Sequence, residues 1–158
     1  MVMNRNGFTI IELIIVIVII GILAILGGLT LGNIGVGTTA ISEAEALKSN
    51  LRFTQSKAMS DLTGNIWSLN ITSSNYTILR NGVTPSPAVN LPCSHATLES
   101  GTYTLPTGVT ITSGTGLIRF NFRGQPVDAA GSPLTANSTI TLSGGPTVTV
   151  TQETGFVP

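Results

Sequence analysis

Charge is what this sequence has least of. Asp, Glu, Lys and Arg together make up 9% of its 158 residues, against roughly 25% in an ordinary soluble domain, so its surface is built from hydroxyls and amides rather than ions. The net charge is zero, and the cations Lys48, Arg52, Lys57, Arg80, Arg119 and Arg123 are scattered, which leaves no electrostatic footprint for nucleic acid. Cysteine occurs once, at Cys93, so no disulfide forms within the chain and cysteine usage does not report its compartment. Histidine also occurs once, at His95. A structural zinc site takes four ligands, and no further Cys or His stands beside this pair, so we read a plain loop with no metal. A nucleophile and base would have to share the same His95, and the acids Asp61, Glu99, Asp128 and Glu153 show no paired spacing. The composition supports neither an enzyme nor a bound cofactor.

What the chain does have is one long apolar run. From Ile10 to Leu31 the residues are apolar or small apart from Glu12, Thr30 and Asn33 just beyond, and no charge falls between Glu12 and Glu43. As a helix, Phe8 to Leu31 would measure about 36 Å, enough for a hydrocarbon core of about 30 Å. A secretory signal peptide would have a shorter core and a small-x-small cleavage site. A plain anchor accounts for the length and for Arg5 on the cytoplasmic side but gives Glu12 no purpose, although a carboxylate inside a span costs about 2.5 to 3.5 kcal/mol and such residues mark functions.

The stretch Arg5-Asn6-Gly7-Phe8-Thr9-Ile10-Ile11-Glu12-Leu13, followed by that run, resembles the prepilin signature of type IV pilins and type II secretion pseudopilins. The resemblance implies a leader at 1–7, cleavage between Gly7 and Phe8 by a membrane-embedded prepilin peptidase, and N-methylation of Phe8. It implies a precursor held in the inner membrane with a periplasmic head, then assembled with other pilin or pseudopilin subunits through an inner-membrane assembly platform. Cleavage would create an α-amine on Phe8, and Glu12 lies about one helical turn further on. In stacked subunits that amine can meet the Glu12 of a neighbour, so that two charges costly alone become tolerable as a pair and set the register.

Beyond the span the domain reading is 8–31 for the hydrophobic filament-core helix, 32–62 for a Gly-rich bend and amphipathic helix, and 63–158 for a β-rich head. Gly27, Gly28 and Gly32 each cost about 1 kcal/mol of helix propensity relative to alanine, marking a place for the helix to bend; close packing through small residues explains them equally well. Ala40, Ala44, Leu47, Leu51, Ala58 and Leu62 form an apolar stripe, with Glu43, Glu45, Lys48, Arg52 and Lys57 off it. Strands are expected at 65–71 and 75–80 as a hairpin, at 103–105, 109–112 and 117–122, and at 138–151 as a second hairpin with Ile140, Leu142, Val148 and Val150 facing in. Trp67, Phe120 and Phe122 alternate as sheet core, and residues 82–100 read as a long loop. The expected fold class is α+β: a long N-terminal helix, membrane-spanning then amphipathic, packed on a small antiparallel sheet, the pilin fold.

The helix end LRFTQSKAMSDLTGNIWSL, the turn in FNFRGQPV and the closing STITLSGG with VTVTQETGFV resemble minor pilins and pseudopilins of the GspH/FimT kind. That resemblance implies a structural, minor subunit of a type IV pilus or pseudopilus. The alternatives are a type II secretion pseudopilin, or a ligand-binding or DNA-binding minor pilin of an adhesion or DNA-uptake filament, the last disfavoured by the neutral head.

Overall fold

The computed structural model describes residues 9–93 and 101–158, and for 25–37 it describes the backbone alone. A single long helix, α1 (Ile10–Ser60), precedes eight short strands. The described chain divides into two units whose boundary in sequence lies between Gly35 and Val36.

In the first unit, α1 carries apolar side chains from Ile10 to Leu23 that are exposed on every side of the helix. A helix apolar all round is one that needs a surrounding, either lipid or other helices. Among the described residues no helix is long and apolar enough to cross a membrane. The described side chains of this run end at Ala24, so the span expected over 8–31 lies partly outside them. The backbone is helical at Gly27, Gly28 and Gly32.

In the second unit the C-terminal part of α1 lies on two antiparallel sheets. The first has five strands in the order β3-β2-β1-β5-β6, namely Thr102–Thr104, Asn75–Arg80, Trp67–Ile71, Gly116–Phe120 and Pro126–Val127. The second has three in the order β4-β7-β8, namely Ile111–Ser113, Ser138–Leu142 and Thr147–Val150. Where one sheet was expected there are thus two. The joint is made by β4, because the Ile111 amide donates to Ser73 O in the β1–β2 turn at 2.9 Å, while Ile111 itself pairs with Leu142 of β7.

The core is the stripe of α1 set against the inward residues of both sheets. Ala40, Ala44, Leu47, Leu51 and Ala58 are fully buried together with Leu69, Ile78, Phe120, Ile140, Val148 and Val150, each large aliphatic side chain contributing about 1.5 to 3 kcal/mol by leaving water. Both expected hairpins form, and Ile140, Leu142, Val148 and Val150 all face in.

Three positions depart from expectation. Leu62 ends the sequence stripe but is 98% exposed, because the helix stops at Ser60 and Gly64, at φ +74°, turns the chain away. Phe122 was expected to share a strand face with Ile118 and Phe120, but β5 ends at Phe120, and Phe122 sits in the following turn, 55% exposed, beneath the Arg123 guanidinium. Glu43 lies off the apolar stripe in sequence, yet it is 3% exposed.

Candidate functional site

The residues that surround the expected cleavage point begin the helix. Glu12 donates its amide to Thr9 O at 3.1 Å and to Thr9 Oγ1 at 3.3 Å, and the Leu13 amide donates to Thr9 O at 3.3 Å. Thr9 is therefore the N-cap, satisfying amides that a helix start leaves without partners. Thr9-Ile10-Ile11-Glu12 has the spacing of a capping box, in which the acid at the third helical position also favours the helix start. This second use of Glu12 has a sequence signature, Ser/Thr-x-x-Glu ahead of an apolar run, that the span and the charge pair alone do not bring out. Gly7 and Phe8 lie outside the described residues. What the described part shows is a helix that begins at once after them, with its first carboxylate one turn in and apolar surface beyond.

In the head, polar side chains gather at two places. The first closes the C-terminal end of α1. Asp61 Oδ1 accepts from the Thr63 amide at 3.1 Å and from the Thr63 hydroxyl, while Oδ2 accepts from Trp67 Nε1 at 2.9 Å, Asn65 Nδ2 at 3.1 Å and Arg80 Nε at 2.9 Å. A carboxylate is disfavoured beside the carbonyl end of a helix, and here five donors compensate it while tying α1 to β1 and β2. The hydrogen bonds from Thr63, Trp67 and Asn65 hold its pKa well below the ordinary 3.8. A lowered pKa means that the stabilisation is fully present above the ordinary value and is lost as pH falls toward the folded one. Wild type and Asp61→Asn, as full chains in detergent, should differ by several degrees in Tm at neutral pH, with the gap closing as the solution is acidified below about pH 4. A gap that stays constant across that range would remove the ionised carboxylate from the account.

The second gathering lies along one flank of α1. The Tyr103 hydroxyl donates to Glu43, Asn50 Nδ2 donates to the Tyr76 hydroxyl at 2.9 Å, and the Cys93 amide donates to Asn50 Oδ1 at 3.2 Å. The two tyrosine rings stack with centroids 4.8 Å apart. Burial pushes both phenols above their ordinary value of 10.0, at Tyr103 with help from Glu43, so both stay protonated, Tyr103 donating to Glu43 and Tyr76 accepting from Asn50. Glu43 is buried because Tyr103, sixty residues away in sequence, supplies its partner. This flank is a structural device that seats the strand β2 and the loop after it.

The other expected positions are not drawn together. His95 and Glu99 lie outside the described residues, and among the described residues no three His, Cys, Asp or Glu side chains converge on a point that could hold a metal. Arg119 and Arg123 take different surroundings, Arg123 over the Phe122 ring at 5.2 Å and Arg119 on the outer side of the five-stranded sheet, across from Ser68.

Residues 2–28 match the family model described as the prokaryotic N-terminal methylation motif. No match is found among curated proteins or among solved structures. The motif is the type IV prepilin signature and supports a pilin-like or pseudopilin precursor, and the α+β arrangement is consistent with a pilin fold.

Proposed function

We propose that this protein is a structural, minor subunit of a type IV pilus or related pseudopilus. It is made as a precursor, cut between Gly7 and Phe8 by prepilin peptidase, methylated on Phe8, and assembled through α1. The single observation that supports this most is the conjunction at the N-terminus: the methylation motif over 2–28 leads into a helix whose apolar surface is unpartnered from Ile10 to Leu23 and which holds one carboxylate in its first turn. Such a surface suits lipid before assembly and neighbouring helices after it. A family-level reading of the motif also favours a subunit over an enzyme.

In this reading 1–7 is the leader, 8–31 the filament core, 32–62 the bend and amphipathic helix, and 63–158 the head that selects partners. Glu12 pairs with the α-amine of Phe8 in the next subunit and fixes the axial register. Gly27, Gly28 and Gly32 are where the helix yields when subunits are drawn into the filament, since each interior glycine lowers helix stability by about 1 kcal/mol. The resemblance of the head's sequence to the GspH/FimT group favours a minor position.

Intact mass of the membrane-extracted chain tests the reading. In cells with an active prepilin peptidase the expected species begins at Phe8 and carries one added methyl group. A chain that still begins at Met1 in such cells sinks the proposal.

A further inference from the structure

The outer face of the five-stranded sheet holds a cleft of about 270 Å³ on the side away from α1. Its floor is a cross-strand pair, Ser68 of β1 opposite Arg119 of β5, whose side chains point away from the core because Trp67, Leu69, Ile118 and Phe120 point into it. Ile66, Leu117 and Ala129 form apolar walls. Asn81 also borders the cleft and is held in place, its Oδ1 accepting from the Ile66 amide at 3.0 Å and its Nδ2 donating one proton to Asn65 at 2.6 Å.

The two floor residues are different. Ser68 is 2% exposed, yet its hydroxyl has no hydrogen-bond partner among the described residues, and the small surface it retains opens on the cleft. Every other described Lys or Arg has an acceptor or a ring. Lys48 meets Glu45, Arg52 meets Val157 O, Arg80 meets Asp61, Lys57 lies over Phe53 and Arg123 over Phe122. Arg119 has neither among the described residues. A hydroxyl on a nearly buried serine that opens on the cleft and a half-buried guanidinium, neither with a protein partner among the described residues, lie side by side at its bottom and are free to meet a group that is not part of this fold.

We propose that this cleft binds a carboxylate presented by a polypeptide. A planar guanidinium offers two parallel N–H donors to two oxygens, and Ser68 supplies a third donor to the same group. One cation lines the cleft, so one negative charge is matched, whereas a phosphate dianion would remain half compensated in apolar surroundings. The volume and the walls suit a single residue carrying its carboxylate on an apolar or aliphatic stem. The source is either a chain end or an Asp or Glu side chain, and the reading is independent of how the N-terminus is processed.

Amide NMR of the full chain in detergent micelles decides it with four probes: N-acetyl-leucine for a chain end, the α-amide of N-acetyl-glutamate for a side chain, N-acetyl-leucine amide, and inorganic phosphate. At least one carboxylate probe should shift the Ser68, Leu117 and Arg119 amides saturably, and the tighter of the two identifies the source. The uncharged amide and phosphate should leave those signals in place. Arg119→Gln should weaken the better probe about tenfold or more, and Ser68→Ala by a smaller factor. If neither carboxylate saturates, if the amide or phosphate binds as well as the better carboxylate, or if Arg119→Gln keeps full affinity, the proposal is overturned. The probe comparison needs only the wild-type chain, so a variant that fails to fold does not shelter it.

Discussion

Glu12→Ala should be inserted and cut normally, yet fall by about two orders of magnitude in sheared filaments relative to the membrane pool. Removing one member of a buried charge pair costs about 3 to 5 kcal/mol, because the other charge stays buried without it, and each 1.4 kcal/mol is about tenfold in a population. The capping geometry at Thr9 supplies the decisive control. Glutamine serves at the third position of a capping box as glutamate does, so Glu12→Gln keeps the helix start and removes the charge. If the carboxylate acts by pairing with a neighbour's α-amine, Glu12→Gln should be excluded from filaments about as strongly as Glu12→Ala. Recovery of the glutamine variant at wild-type levels would transfer the role of Glu12 from register to helix initiation.

Leu47→Ala should cost the head about 2 to 5 kcal/mol, the range for opening a cavity under a buried leucine. Leu62→Ala should stay within about 0.5 kcal/mol of wild type, as exposed positions do. The two leucines belong to one stripe in sequence, but Leu47 is fully buried against the sheets and Leu62 stands in water beyond the end of α1. Urea unfolding of the full chain in detergent, followed by the fluorescence of Trp67, the only tryptophan, reads both. Equal losses at the two positions would mean that α1 seats differently on the head.

These contrasts show where the sequence could be read and where it could not. Alternation carried the strands: Ile140, Leu142, Val148 and Val150 sit two apart, and a sheet with one buried face imposes that period. The stripe from Ala40 to Ala58 was equally plain, since a helix lying on a sheet must bury positions three and four apart. The same period overshot at Leu62, because it does not register a stop, and the stop resides in Asp61, Thr63 and Gly64 with donors brought from Trp67 and Arg80. Glu43 could not be placed from sequence because its burial depends on a hydroxyl contributed by β3. The cleft at Ser68 and Arg119 was invisible for the same reason: pairing across strands fifty residues apart puts the two side by side. Of the N-terminus, the motif and the place of Glu12 in the first helical turn were legible, and the cap at Thr9 has its own signature in the sequence.

One carboxamide joins three distant stretches of the chain. Gln55 Nε2 donates to Gly124 O and to Thr154 O, each at 2.8 Å. Around it there is no room: a Cβ on Gly124 would approach Met59 Sδ to 2.8 Å, and one on Gly155 would approach Gly124 O to 2.3 Å, with both glycines at positive φ. Positions 55, 124 and 155 therefore share one tightly filled space, and a side chain added at either glycine meets the carboxamide or its neighbours. A larger residue at 124 would have to displace the Met59 side chain, and one at 155 would press on Gly124 O and on Gln55 Nε2 itself, so the end of the chain is held to α1 by a contact that tolerates no added bulk.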